Sequence, residues 1–170
     1  LETSIPIETV EFYINESLTT EGEKIIGKNC KALVYFPDSV KQVVVKVAIS
    51  AVGEDGAANN QKEIEGFDFD KVKTDAYNYW NNELSKIEVE SNDEDLKKNF
   101  YTAMYHSFTA PYLFTDIDGR YLGQDKEIHT ADSGRHIYTV FSLWDTYRTL
   151  HPLMNIIDRK RTEDFLYSFM

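Results

Sequence analysis

Near residue 67 the hydrophobic period of this chain changes from two residues to between three and four, and few folds accommodate both halves. Before the change, Val43, Val45, Val47 and Ile49 alternate with Val44, Lys46, Ala48 and Ser50, the pattern of a strand over 43–50 with one apolar face. Glu8–Ile14 and Ala32–Phe36 are strand-like as well, with Pro37-Asp-Ser39 as the turn between the second and third runs. The Gly-punctuated polar stretch 53–66 reads as a boundary loop. After it, Phe69, Val72, Ala76, Tyr79/Trp80 and Leu84 recur at helical spacing and predict an amphipathic helix over 70–86, with Trp80 in the core. Ser91-Asn-Asp-Glu94 has capping-box spacing, and the stripe Leu96, Phe100, Ala103, Met104, Phe108 predicts a second helix over 93–109. The fold class is therefore α+β with two regions. So few strands cannot close a sandwich by themselves, so further upstream strands are expected.

Beyond Pro111 the helical pattern breaks. Leu113-Phe114 and Tyr121-Leu122 flank Asp116-Ile-Asp118-Gly119 and predict a hairpin through an Asp-Gly turn. Ile137–Phe141 is β-like, and a third helix is expected to start near Ser142 and end by His151, because Pro152 disfavours helix at its predecessor. From about Thr162, residues Phe165, Leu166, Phe169 and Met170 share one helical face, and Arg159-Lys-Arg161 reads as a solvated face or helix start. The chain opens on Leu1-Glu2 without a signal-peptide pattern and stops within that last helix, so an internal piece of a longer protein is expected.

Charge and composition exclude several functions. A net charge of −11 argues against a nucleic-acid or anionic-membrane partner, because phosphates need clustered Lys and Arg. No apolar stretch has the length of a membrane span. Cys30 stands alone, so no internal disulfide is possible, and its strand context suggests a buried, inert thiol. The four His residues, 106, 129, 136 and 151, have no zinc-ligand spacing, and His106 and His151 read as core histidines. Asp116-x-Asp118-Gly119 opens like a calcium loop, but Tyr121 stands where such a loop needs Gly, so a turn is the better reading. There is no Gly-x-Ser-x-Gly, phosphate loop or dinucleotide fingerprint.

Residues 138–152 carry the densest chemistry. Trp144 offers a flat apolar face, Asp145 a hydrogen-bond acceptor, and Arg148 a guanidinium able to hold that carboxylate. A sugar stacks its C–H face on indole and bridges its hydroxyls to carboxylates. The same residues also make a buried Trp with a structural Asp–Arg pair, and both readings stand at this point.

The phrase Phe141-Ser-Leu-Trp-Asp-Thr-Tyr-Arg148, with Leu150-His-Pro152 after it, resembles a signature of glycoside hydrolase family 92. Asn99-Phe-Tyr-Thr-Ala-Met-Tyr-His-Ser107, Asp118-Gly-Arg-Tyr-Leu-Gly-Gln-Asp125 and Gly66-Phe-Asp-Phe-Asp70 resemble the same family in the same order. That resemblance implies an exo-acting, calcium-dependent, inverting α-mannosidase acting on N-glycans or mannans. It implies part of an N-terminal β-sandwich over 1–66, a linker helix over 67–90, and from 91–170 the start of an (α/α)6 toroid with a hairpin insertion near 112–140. In the family the catalytic acid, the base and most calcium ligands lie downstream, so they are expected beyond Met170, with no metal ligand in this chain and no activity from it alone. Trp144 and Asp145 carry over as contacts to the terminal mannose, Arg148 as a group that orients Asp145 or packs, and Arg120 and Asp125 as further pocket candidates. The implied partner is an α-mannoside glycan, and the implied location is outside the cell membrane, in a bacterial periplasm or at the cell surface. The rival reading is a non-catalytic carbohydrate-binding or scaffolding domain built on an aromatic platform.

Overall fold

A computed structural model describes residues 1–19 and 25–170, which form two compact units, Leu1–Val47 and Ala48–Met170. Strands and helices are both present, as an α+β chain requires.

In the first unit, β2 (Thr9–Ile14) lies between β3 (Ser17–Thr19) and β4 (Cys30–Tyr35), antiparallel to both. Asn15 and Glu16 make the two-residue turn from β2 to β3, both with positive φ, the geometry whose twist suits a tight hairpin. The register puts Val10, Phe12 and Ile14 on one face with Val34, Ala32 and Cys30. Glu11 and Tyr13 share the other face with Leu33 and Tyr35, where both tyrosine hydroxyls donate to Glu11 Oε2, at 2.8 and 2.9 Å. Cys30 is exposed, contrary to the buried thiol expected, because it opens β4 at the sheet's end.

The strand expected over 43–50 shrinks to β5 (Val45–Lys46), paired with β1 (Glu2–Thr3). Alternation alone does not make a ladder: β1 supplies two residues of backbone partner, and Val47 and Ile49 are left exposed.

The second unit begins with a helix where a loop was expected. α1 (Glu54–Asn60) has acidic residues in its first turn, which its dipole favours, but too few apolar side chains to show a period. Contact fixes it instead. Gly56 is buried so closely against the turn at Asp116 that a Cβ there would lie 2.4 Å from both the Asp116 carboxylate and the Ser50 hydroxyl. Ser50 Oγ donates to Asp116 Oδ2 (2.6 Å), Asn60 Nδ2 donates to Oδ1 (2.7 Å), and Asn60 Oδ1 accepts from the Ile117 N–H (2.8 Å).

α2 (Phe69–Leu84) and α3 (Glu94–Thr109) match the helices expected over 70–86 and 93–109 to within two residues. Asp68 caps the first by accepting from Lys71 N–H (2.9 Å). Asp93, rather than Ser91, caps the second, accepting from Leu96 N–H (3.0 Å).

Leu113 and Phe114 do not pair with Tyr121 and Leu122 as predicted. They pair with Ile137 and Tyr138, while β6 (Arg120–Leu122) forms a hairpin with β7 (Ile128–Thr130). Asp116–Gly119 remains a turn, closed by Gly119 N–H to Asp116 O (2.9 Å).

Pro152 does not end a helix. α4 (Leu143–Thr146) is a single turn, and α5 (Leu150–Ile157) then starts two residues before Pro152. Pro152 thus falls in the first turn, where its missing N–H would have had no intrahelical acceptor, and the ladder of α5 begins one residue later with Leu153 N–H to Thr149 O (2.9 Å). α6 (Arg159–Tyr167) follows at once, capped by Asp158. Of the face expected from its sequence, Phe165 is buried, while Leu166 and Met170 are exposed.

Met104, Phe108, Met154 and Phe165 make the buried core of this unit, with Trp80, Tyr138 and Phe141 packed around them. Above Phe108 sits a ring of charge. Arg161 donates to Glu83 (2.7 Å) and Asp158 (3.2 Å), Lys86 contacts the same two carboxylates at 3.0 and 2.7 Å, and the cationic groups lie 4.8 and 5.3 Å from the Phe108 ring centre. Burial pushes the Asp158 carboxyl up, but Lys86 and Arg161 outweigh it and hold the group below the usual carboxylate range. Burial likewise pulls Lys86 down, and its two carboxylates outweigh that, leaving it above the usual lysine range.

Two outcomes follow. Gly56→Ala should cost about 1–3 kcal/mol in a urea melt, since overpacking the Asp116 site outweighs the gain of about 1 kcal/mol in helix propensity. A depressed Asp158 pKa contributes stability above the unfolded value of about 3.9 and loses it as pH falls through the lower folded value. The gap in denaturation midpoint between the wild type and Asp158→Asn should therefore be constant near neutrality and close below about pH 4.

Candidate functional site

Trp144 and Asp145 lie on α4, and their position is fixed from beneath. Phe141 meets Phe169 edge to face, with ring centres 4.7 Å apart, and makes tilted contacts with Phe165 at 5.5 Å and the His151 ring at 4.9 Å. Thr146 Oγ1 shares a hydrogen bond with His151 Nε2 (2.8 Å), and Asp145 N–H donates to Ser142 O (3.2 Å). Burial pushes the His151 imidazole pKa down, which favours the neutral ring in that bond.

On this base the indole points to solvent. Trp144 is 83% exposed, so it is not the buried Trp of the structural reading. Asp145 is exposed beside it. Arg148 does not pair with Asp145: its Nε donates to Tyr147 Oη (2.8 Å) and its guanidinium lies 5.6 Å from the Tyr147 ring centre. The Asp145 carboxylate has no ion-pair partner among the described residues. α4 thus presents an apolar plate and an acceptor side by side, the pair a hydroxylated ring needs.

Arg120 and Asp125 sit elsewhere. Arg120 Nη1 meets Asp55 and its Nε meets Asp118, each at 2.8 Å, tying β6 to α1 and the preceding turn. The Arg120 side chain holds the Asp55 carboxyl below its ordinary range, and the Arg120 backbone N–H is the main cause of the same shift at Asp118. Arg120 is thereby occupied in the fold.

Asp125 instead lines a cleft of about 670 Å³ between the β6–β7 hairpin, the 137–140 segment and the end of α6. Its Oδ2 lies 2.9 Å and its Oδ1 3.1 Å from His129 Nε2, and Oδ1 also accepts from the Glu127 N–H (3.0 Å). The backbone bond first, and His129 second, hold this carboxyl below its usual range. His129, Tyr121 and Tyr167 line the same cleft and were not anticipated. Only the register Tyr121↔His129 brings the first two together, and a sequence does not display register.

Among the described residues no group of three or more His, Cys, Asp or Glu could hold a metal ion. Asp116 and Asp118 are already taken by Ser50, Asn60, Asn59 and Arg120. The described residues therefore do not fit a calcium ion. No helix among them is long and apolar enough to cross a membrane.

The sequence profile of the glycosyl hydrolase family 92 catalytic domain matches residues 56–170. The chain belongs to glycosyl hydrolase family 92.

The family 92 chain is similar to a family 92 α-mannosidase of Bacteroides thetaiotaomicron, with 34% identity and a TM-score of 0.85 over 98% of this chain and 23% of that one. An inverting family 92 mannosidase of Bacteroides thetaiotaomicron VPI-5482 shares the fold, with a TM-score of 0.73 at 21% identity over 99% of this chain and 24% of that one. An uncharacterized secreted glycosidase of Arthroderma benhamiae is 32% identical over 112 residues, which are 63% of this chain and 13% of that protein. This family 92 chain thus spans about a quarter or less of the length of these relatives.

Because the Trp144 side chain is outside the core, Trp144→Ala should move stability by no more than about 0.5 kcal/mol. The check is a urea melt of the chain, with Phe165→Ala as the core comparison, for which about 3–5 kcal/mol is expected.

Proposed function

We propose that the full-length protein is an inverting exo-α-mannosidase that hydrolyses terminal α-linked mannose from N-glycans or mannans, and that this chain supplies part of its mannose pocket. The observation that carries the reading is the match, at 34% identity across 98% of the chain, to an α-mannosidase also solved in complex with mannoimidazole.

In this reading, Trp144 stacks on the C–H face of the terminal mannose and Asp145 accepts hydrogen bonds from its hydroxyls. Arg148, packed on Tyr147, sets the far edge of that turn. Arg120 holds the hairpin against α1 and so places Asp125, the other polar group offered to substrate. Inversion needs a general acid and a base roughly 6.5–9.5 Å apart with water between them, and both would come from sequence outside this chain, as would most of the ligands of calcium.

The architecture proposed with this function is part of a β-sandwich over residues 1–66, a linker helix over 67–90, and the first helices of an (α/α)6 toroid over 91–170 with a hairpin insertion near 112–140. The three-stranded sheet with one apolar face supports the first, and the capped helices α2 and α3 support the others. Export, to a bacterial periplasm or cell surface, is proposed from the secreted relative.

The test is hydrolysis of an aryl α-mannoside by the full-length protein, with and without a calcium chelator, with NMR reading the product anomer. The expected outcome is chelator-sensitive release of β-mannose. Asp145→Ala should lower kcat/KM about 10- to 150-fold, the loss of one charge-assisted hydrogen bond of about 1.5–3 kcal/mol. Sugar binding that survives chelation without any hydrolysis would instead make the chain part of a non-catalytic carbohydrate-binding domain.

A further inference from the structure

The turn that carries Trp144 and Asp145 has little of its own to hold it. α4 is four residues long, none of them buried, and Ser142 gives it no side-chain cap. A helix that short is marginal in water without help from outside. Trp144 and Asp145 are exposed, and Tyr147 and Arg148 contact each other, so none of these four ties the turn down. Among the described residues, the one side-chain hydrogen bond that leaves α4 for another element joins Thr146 Oγ1 to His151 Nε2 (2.8 Å).

The direction of that bond follows from the rest of the turn. Thr146 Oγ1 also lies 2.9 Å from Ser142 O, a separation that two oxygens keep with a proton between them. A carbonyl has no proton to give and a hydroxyl has one, so the Thr146 proton goes to Ser142 O. His151 Nε2 must then carry its own hydrogen and donate to Oγ1, which makes the neutral ring the Nε2–H tautomer. Ser142 O also accepts the N–H groups of Asp145 and Thr146, both at 3.2 Å. One threonine hydroxyl thus connects the carbonyl that starts α4 to the imidazole.

The imidazole is placed by contacts that do not involve α4. It belongs to α5, is half-buried, lies against Phe141 with ring centres 4.9 Å apart and meets Phe165 edge to face at 6.1 Å. Phe165 is part of the buried core. Among the described residues no charged side chain pairs with the ring, so Thr146 is its one polar contact. A donor fixed on the core therefore reaches a turn that has no anchor of its own. We propose that His151 is a positioning residue, whose Nε2–H holds Thr146 and so fixes the angle at which α4 presents Trp144 and Asp145 to a sugar. That a sugar arrives there rests on the mannosidase reading; the hold on α4 does not.

The experiment uses the full-length protein and three variants. His151→Phe keeps an aromatic ring and removes the donor, Thr146→Val keeps the side-chain shape and removes the acceptor, and His151→Gln offers an amide N–H to the same oxygen. Amide exchange of the peptide over 142–149, read by mass spectrometry, should quicken about three- to tenfold in the first two variants, as loss of one neutral hydrogen bond requires, and return toward wild type in His151→Gln. The peptide over 100–108, from α3, is the internal control and should not change; where His151→Phe loosens it as well, Thr146→Val, outside the core, decides. On an aryl α-mannoside, kcat/KM should fall by a similar factor of about three to ten in the first two variants and recover in His151→Gln. The double variant should lose no more than either single one, since both remove the same bond. Unchanged exchange at 142–149, additive losses, or no recovery with Gln would overturn the proposal, as would faster exchange with unchanged kcat/KM. If the wild type hydrolyses no aryl α-mannoside, the mannosidase reading fails and exchange alone decides: faster exchange confined to 142–149 and reversed by Gln upholds the hold of His151 on α4, and its absence overturns it.

Discussion

Glu83, Lys86, Asp158 and Arg161 close a ring of two carboxylates and two cations over the face of Phe108, and three helices meet there. Glu83 and Lys86 come from the end of α2 and the turn after it, Phe108 from α3, and Asp158 and Arg161 from the start of α6. Each charge has a partner of the opposite sign on a different element, so neither α2 nor α6 can leave without stranding a charge in a poorly hydrated place. Asp158 adds a second duty as the cap of α6. The orientation of α6 in turn sets Phe165 and Phe169, on which Phe141 rests, and Phe141 leads directly into α4. The position of Trp144 and Asp145 therefore traces back through aromatic contacts to an ion-pair ring at the other end of α6.

Both chemical features of the second unit are built by holding the backbone close to something. At Gly56 the helix presses on a hydrogen-bonded carboxylate, and at Gly123 the hairpin runs beneath the Asp125–His129 pair. In neither place does glycine serve a turn geometry, since neither has a positive φ. What matters is the missing Cβ, which lets polar side chains lie against the main chain.

Parts of this were readable in the sequence. α2 and α3 were, because each has an Asp at its cap and a long apolar stripe, two local signals that agree. α1 was not, because its cause is a contact with Asp116, some sixty residues away, and its composition resembles a loop. The strand over 43–50 failed for the converse reason, a good pattern without enough partner backbone. The expected stop at His151 failed because Pro152 sits in the first turn of α5, where a proline is tolerated and the residue before it is helical all the same. The juxtaposition of Trp144 and Asp145 was legible because they are adjacent in the chain, and their openness to solvent was not. His129 stayed hidden because its meaning depends on facing Tyr121 across a ladder whose register no local feature announces.

The exposure of Trp144 has an optical consequence. The chain holds two indoles, and they occupy opposite environments: Trp80 packs against the core and stacks on Tyr105 with ring centres 4.5 Å apart, while Trp144 stands in water. Their emission should separate, blue from the first and red from the second, with the tyrosine-contacted indole indifferent to quencher. Whatever settles onto α4, a sugar ring or a neighbouring stretch of polypeptide, will shift the red component and leave the blue one alone. The molecule thus carries an intrinsic dye on α4, with an internal reference packed against its core.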